Sequence, residues 1–308
     1  MSKIGLGLAA LGRPEYINIR QDICVDKSRL AFRKNALNVL DEAYSNGVRF
    51  FDTAPSYGKG ELFLLEWLLL NKHTDVNVST KWGYTYVANW ELGYQGNHEI
   101  KEHSLEKLRE QWEVSKKLLP WLKIYQIHSA TLDSGVLTNN KVLNQLFQLK
   151  NEYGIQIGLS VSGIHQKEVL KHALSIEIEG DALFDSFQIT YNIFEQDSFS
   201  IIKELSRLGK FIIIKEALAN GRVFELKDTI LNNLADKYQV GIDAIALQFC
   251  IQSATPDRVL SGASTKGQLR DNLNANEFSL LEDEVNDLKK LKLSSEVYWR
   301  ERSELSWD

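Results

Sequence analysis

Phe51-Asp52-Thr53-Ala54-Pro55-Ser56-Tyr57-Gly58 is the stretch that decides the fold. It continues the apolar run Val48 to Phe51, which reads as a buried strand, and delivers that strand into a Pro/Gly loop. An acid ends the strand, and a tyrosine follows five residues later. In a parallel α/β barrel, strand ends and the loops after them form the active-site rim. A carboxylate and a phenol at that place point to proton chemistry.

The same rhythm repeats outward in both directions. Strand-like runs occur at Ile4–Ala9, Val48–Asp52, Val76–Lys81, Ile124–His128, Ile155–Ser160, Ser186–Thr190, Phe211–Lys215 and Val259–Ser261. Several lack polar alternation, as strands covered on both faces do. Helix-like segments separate them: Ser28–Asn46, Glu61–Asn71, Ser104–Leu119, Asn140–Tyr153, Gln166–Leu174, Ser200–Leu208, Thr229–Tyr238, Ile242–Ile251, Lys266–Ala275 and Glu282–Lys292. The first carries Ala36, Val39, Leu40, Ala43 and Tyr44 at helical spacing, with Gly47 placed to end it. Strand then helix, repeated without a break in composition, predicts one closed (β/α)8 barrel; a doubly wound open sheet is the rival. The expected organisation is a single domain over residues 1–308, with a tail from about residue 294.

The chain has 308 residues, of which 44% are hydrophobic, and a net charge of -5, so nothing in it resembles the basic footprint of a nucleic-acid binder. No apolar run approaches the roughly 20 residues of a membrane span. Ile4 to Leu11 is too short and too glycine-broken for a signal core, so a cytoplasmic location is expected. Cys24 and Cys250 cannot make a disulfide framework and read as packed thiols. The histidines offer no metal-ligand spacing: His98 and His103 are five apart, where helical zinc pairs sit at i, i+4.

Four polar residues fall at or just after consecutive strand ends: Asp52, Tyr57, Lys81 and His128. A lone Asp there caps a turn, and a lone Tyr, Lys or His has equally plain structural uses. Together they have a chemical logic. A phenol is a poor acid near neutrality, with a reference pKa of about 10, and a close ammonium stabilises its anion. Asp52 would hold Lys81 charged and aimed at Tyr57, and His128 would orient a carbonyl oxygen.

The segment Phe51 to Gly58, with Ser79-Thr80-Lys81 and Gln126-Ile127-His128, closely resembles the aldo/keto reductase superfamily, and the resemblance runs from Gly5-Leu6-Gly7 to Asn272. It implies a (β/α)8 barrel binding NADP(H). It assigns Tyr57 as general acid/base, Asp52 and Lys81 as its tuners, and His128 as the substrate-orienting residue. It implies that Ser264 and Gln268 meet the 2'-phosphoribose and that Asp271 and Asn272 meet the adenine. The loop Leu218-Ala219-Asn220-Gly221-Arg222 would strap the pyrophosphate, and Ser160 with Gln188 would hold the nicotinamide carboxamide. The implied activity interconverts an aldehyde or ketone, a sugar or other polar carbonyl included, and its alcohol by hydride transfer. A second reading within the resemblance is a nucleotide-sensing protein with little turnover.

The chain departs from the family pattern in places. Lys215 stands where many members stack an aromatic on the nicotinamide; its stem can replace that contact, and its ammonium favours an anionic substrate unless Glu216 pairs with it. Val161 follows Ser160 where many have Asn. Gly262 and Gln268 stand where many carry a cation for the 2'-phosphate, leaving Lys266 as the substitute. The first strand begins so early that no bottom hairpin is expected. Trp82, Tyr84, Tyr86, Trp90 and Tyr94 read as an aromatic wall over the pocket or as surface packing. The tail, with Trp299, Arg300, Arg302 and Trp307, reads either as a cover over the rim or as a segment docked on the outer helices. Arg20 is a further candidate anion contact without a supporting pattern.

Overall fold

The computed structural model describes residues 2–17, 19, 26–226 and 229–307. Arg20 and Cys24 lie outside the described residues. All eight expected strands form: β1 (Ile4–Gly7), β2 (Phe50–Asp52), β3 (Asn77–Trp82), β4 (Leu122–Ala130), β5 (Gln156–Val161), β6 (Ser186–Thr190), β7 (Phe211–Lys215) and β8 (Arg258–Ser261). Every neighbouring pair is parallel, and the sheet closes in the order β1-β8-β7-β6-β5-β4-β3-β2.

The expected helices also form: α1 (Arg29–Ser45), α2 (Gly60–Asn71), α3 (Leu105–Ser115), α4 (Asn140–Tyr153), α5 (Gln166–Leu174), α6 (Phe199–Arg207), α7 (Thr229–Tyr238), α8 (Ile242–Ala254), α9 (Lys266–Leu273) and α10 (Glu282–Lys289). Ser28, Ser104, Asn139 and Thr265 start α1, α3, α4 and α9 by accepting a backbone N–H on the side-chain oxygen. One helix was not anticipated: α11 (Ser295–Ser303) lies in the tail. The stretch after Trp82 is not a plain loop, since Tyr84–Tyr86 pairs antiparallel with Glu99–Lys101.

Side-chain alternation separates the inside of the barrel from the layer beneath the helices. Phe50, Ile124 and Ile213 form a small apolar cluster of their own, flanked by Phe211 and Leu260. Phe51, Tyr125, Ile127, Ile212 and Ile214 join the large core against the helices. The first group therefore fills the barrel floor. Two residues further along the same strands, the inward positions are Asp52, Gln126 and Lys215. An apolar floor thus gives way to a polar mouth at the C-terminal ends of the strands. Among the described residues no strand precedes β1, and the Arg258 guanidinium lies 5.7 Å and 5.9 Å from the ring centroids of Phe50 and Phe211. Cys250 is fully buried, with its thiol donating to the Tyr191 carbonyl at 3.4 Å. No helix among the described residues is long and apolar enough to cross a membrane.

The loop after β2 is packed backbone to backbone on the loop after β1. The Gly12 carbonyl accepts from Lys59 N at 2.7 Å. A Cβ on Gly12 would overlap the Tyr57 carbonyl oxygen and lie 2.7 Å from the Gly60 Cα. Backbone cannot yield as a flexible side chain does, so Gly12→Ala is expected to cost about 1–3 kcal/mol in urea unfolding, as overpacking does. An unchanged unfolding curve would contradict this packing.

Candidate active site

Asp52, Lys81 and His128 sit near the ends of β2, β3 and β4, and Tyr57 sits on the loop after β2. The structure brings all four together. Lys81 Nζ donates to Asp52 Oδ2 and, at 3.1 Å, to the Thr53 carbonyl. Neither partner is more than 2% exposed. Asp52 Oδ1 accepts from Gln188 Nε2 at 2.9 Å. Lys81 Nζ lies 4.8 Å from the Tyr57 ring centroid. The His128 ring meets the Tyr57 ring edge-on at 5.7 Å, and His128 Nδ1 lies 3.4 Å from Ser56 Oγ.

The electrostatics correct one expectation. Lys81 does not pull the phenol into the ordinary acid range. Burial, then the Asp52 charge, raises the Tyr57 pKa well above its usual value, with Arg13 opposing. Burial also lowers Lys81, offset by Asp52. Desolvation is the largest influence at the phenol, and the Asp52 charge adds to it. Tyr57 rests as a neutral O–H. Burial, reinforced by Lys81, Lys215 and Arg13, holds His128 well below its usual value. It rests as a neutral imidazole.

A cavity of about 520 Å³ opens on this group. Asp52, Tyr57 and His128 line it, while Lys81 lies behind them. At one end it is bounded by Tyr84, Lys101 and Ser129, and at the other by Ser264, Gln268, Asp271 and Asn272. Between them lie Ser160, Gln188, Lys215, Leu218, Gly221 and Gly262. Most of the residues expected to contact the cofactor therefore line this one cavity. A Cβ on Gly262 would meet nothing within 4 Å, which leaves the backbone after β8 open to a ligand. Ser160 Oγ accepts from Ser129 N at 2.8 Å, leaving its O–H to donate. Gln188 uses its amide N–H on Asp52, leaving its carbonyl to accept. One donor and one acceptor side by side are the complement of a carboxamide. Val161 is buried and not on this wall; Ser162 lines it instead.

Trp82, Trp299 and Arg222, expected at the site, lie elsewhere. Trp82 joins the core at 1% exposure, because Lys81 faces the barrel interior and its neighbour on the strand faces the helices. Trp299 packs beside Tyr298 on the same core rather than on the cavity. On α11, Tyr298 and Arg302 share a face at i, i+4, which turns Trp299 aside. Arg222 does not line the cavity either: its guanidinium donates to the carbonyls of Ala219 at 3.0 Å and Tyr298 at 3.3 Å.

The structure adds Arg13 and Glu99, which the sequence did not single out, and shows where the tail goes. Arg13 is fully buried, donates to Glu99 at 2.9 Å, and stacks over the rings of Tyr16, Tyr57 and Trp307. Trp307 stacks on His98 with centroids 4.3 Å apart. The tail thus closes over the rim. Arg302 holds both oxygens of Glu216, the nearest bond being 2.7 Å. Loop β1–α1 reaches across the cavity: Ile19 N donates to the Asn220 carbonyl at 2.8 Å, and a Cβ on Gly221 would lie 3.0 Å from Ile19 Cβ and closer still to its carbonyl. No local pattern announced the Arg13–Glu99 pair, whose members lie far apart in the chain. Glu216 was visible beside Lys215, but not its link to Arg302. Among the described residues no group of three His, Cys, Asp or Glu is placed to hold a metal ion.

The family model for the aldo/keto reductase family matches residues 3–292. The holo form of an aldo-keto reductase from Bacillus halodurans is similar in fold, at 21% identity over 95% of this chain and 93% of that one, with a TM-score of 0.68. An aldo-keto reductase from a Medee basin deep-sea metagenome library is similar at 18% identity over 96% and 92%, with a TM-score of 0.66. No curated protein matches the sequence.

The Glu216–Arg302 contact ties the tail to the rim and carries a pH signature. Burial alone would raise the Glu216 carboxyl, but Arg302 and Lys215 outweigh it and hold it at about 2, below its usual 4.5. A depressed acid stabilises the fold fully above its unfolded pKa and loses that contribution as pH falls toward its folded one. The stability difference between the wild-type chain and Glu216→Gln is therefore expected to be constant above about pH 5 and to shrink progressively toward about pH 2. Denaturant unfolding across that range measures it, and a pH-independent difference would contradict the pairing.

Proposed function

The chain belongs to the aldo/keto reductase family, and from that premise we propose that it is an NADP(H)-dependent oxidoreductase interconverting an aldehyde or ketone and its alcohol. The observation that carries this reading is the meeting of Tyr57, His128 and Asp52 on the cavity lining, with Lys81 behind them bonded to Asp52. The nicotinamide, when bound, supplies or accepts the hydride.

This chain's residues do the rest. Neutral His128 donates an imidazole N–H to the carbonyl oxygen and fixes its direction. Its Nδ1 is near Ser56, and no described residue bonds Nε2. Tyr57 gives its phenolic proton to that oxygen as negative charge develops there, and takes a proton back in the reverse direction. A phenol with a raised pKa is a reluctant acid, so it releases the proton only when the developing alkoxide is a stronger base. As phenolate character grows, the Lys81 ammonium 4.8 Å from the ring stabilises it. Asp52 keeps the ammonium charged in a buried site, where desolvation works against it.

Ser264, Gln268, Asp271 and Asn272 would hold the adenosine end. Leu218 and Gly221 would cover the pyrophosphate, and Ser160 and Gln188 the carboxamide. The preference for the 2'-phosphorylated cofactor is supported by Lys266 at the start of α9. Its ammonium is 3.9 Å from Glu42 and its side chain 45% exposed, so it is free to turn toward an added phosphate. Fluorescence titration is expected to find tighter binding of NADPH than of NADH. Tyr57→Phe is expected to lower carbonyl reduction by 10²-fold or more while leaving nucleotide affinity intact, since general acid catalysis contributes about 10²–10⁴-fold. A loss smaller than about tenfold would remove Tyr57 from the proton route.

A further inference from the structure

We propose that the carbonyl substrate carries a second, anionic group, a carboxylate or a phosphate, and that Lys101 and Lys215 bind it. The proposal rests on the hydride-transfer reading above and names the substrate class for that site.

The charges at the reacting end of the cavity do not balance, since Asp243 and Asp271 lie at the other end. Asp52 is committed to Lys81, and Glu99 to Arg13 at 2.9 Å. Glu216 lies 3.7 Å from Lys215, but Arg302 bonds both of its oxygens at 2.7–3.2 Å. Lys101 has no carboxylate within ion-pair distance among the described residues. Lys101 is left without an acid, and Lys215 shares Glu216 with Arg302, at the end of the cavity where the chemistry occurs.

Hydroxyls hold these ammonium groups in place. Lys101 Nζ donates to Thr131 Oγ1 at 2.9 Å. Lys215 Nζ donates to Thr190 Oγ1 at 2.7 Å and Ser162 Oγ at 3.1 Å, and Ser162 Oγ lies 3.3 Å from Ser129 Oγ. The arc runs along the ends of β4 to β7, beside His128. Tyr84 joins it to the reacting group: its ring lies 4.8 Å from His128 and 5.8 Å from Lys101 Nζ. A carbonyl between Tyr57 and His128 therefore leaves the far end of its molecule against the arc.

A sugar hydroxyl would satisfy the donors but not the charge. A desolvated ammonium without a counter-ion is costly, and an anionic group on the ligand removes that cost at the moment of binding. Lys101 is the more diagnostic residue. It sits on the short pair Tyr84–Tyr86/Glu99–Lys101, outside the segments assigned to the cofactor, whereas Lys215 is also a candidate nicotinamide contact.

The test compares two matched pairs, 4-oxobutanoate with its methyl ester and glyceraldehyde 3-phosphate with glyceraldehyde, reduced by the full chain with NADPH. At least one anionic member is expected to exceed its uncharged partner in kcat/KM by about tenfold, mainly through KM, as one charge-assisted contact does. Which pair responds separates carboxylate from phosphate. Lys101→Met is expected to remove most of that ratio, and Lys101→Arg to keep it. Equal kcat/KM within both pairs, or a ratio unchanged in Lys101→Met, would overturn the proposal. If no member of either pair is reduced, the hydride-transfer reading is at fault, and calorimetry with the full chain saturated with NADP+ tests the arc alone. There, succinate and inorganic phosphate are measured against succinamide. Tighter binding of an anion, weakened in Lys101→Met, supports the arc; no difference overturns it.

Discussion

The buried ion pair between Lys81 and Asp52 is the constraint on which the site depends. Removing two charges from water is expensive, and truncating one partner of such a pair costs about 3–5 kcal/mol because the other charge is stranded. The barrel meets that demand by register. Asp52 pairs with Ser79 across β2 and β3, and Lys81 lies two residues further along the same face. Both side chains therefore point inward, one layer above the Phe50, Ile124 and Ile213 floor. Gln188 and the Thr53 carbonyl supply further hydrogen bonds. The result is a fixed dipole beneath the phenol, not a free charge beside it. This explains why Tyr57 stays protonated yet has an ammonium at hand when it loses its proton.

The rim holds its shape at some cost in backbone strain. Ser129, Glu216, Ala219 and Asn220 have φ of 48°, 54°, 48° and 58°, a region side chains other than glycine rarely occupy. Such residues cost on the order of 1–3 kcal/mol each and persist where surrounding contacts over-determine them. The contacts are evident. Ser160 Oγ fixes Ser129 N, Asn192 Nδ2 fixes the Glu216 carbonyl, and loop β1–α1 bonds Asn220 on both its backbone and its side chain. The tail takes part: Tyr298 accepts from Asn192 at 2.9 Å and Arg302 clamps Glu216. Tail, strap and strand ends form one connected frame around the cavity.

Much of this was legible in the sequence. Uninterrupted apolar runs separated by capped helices marked the barrel, and polar residues at consecutive strand ends marked the site. Local order carries that information. Trp82 was misjudged although local order held the answer, because strand alternation must turn it away once Lys81 faces inward. The tail was another matter. Its tryptophans drew notice, but Tyr298 and Arg302 make the contacts, and their partners Asn192 and Glu216 lie on the far side of the barrel sequence. The upward push of burial and Asp52 on the phenol was likewise hidden, since it depends on distances and desolvation rather than on residue type.

The most direct measurement of the central claim is an ultraviolet difference titration of tyrosinate in the wild-type chain against Tyr57→Phe. The two traces are predicted to coincide up to about pH 10, the ordinary phenol value, because the deleted side chain was un-ionised throughout. Excess tyrosinate absorbance in the wild-type chain below about pH 9 would contradict a phenol kept neutral by burial beside the Asp52 charge.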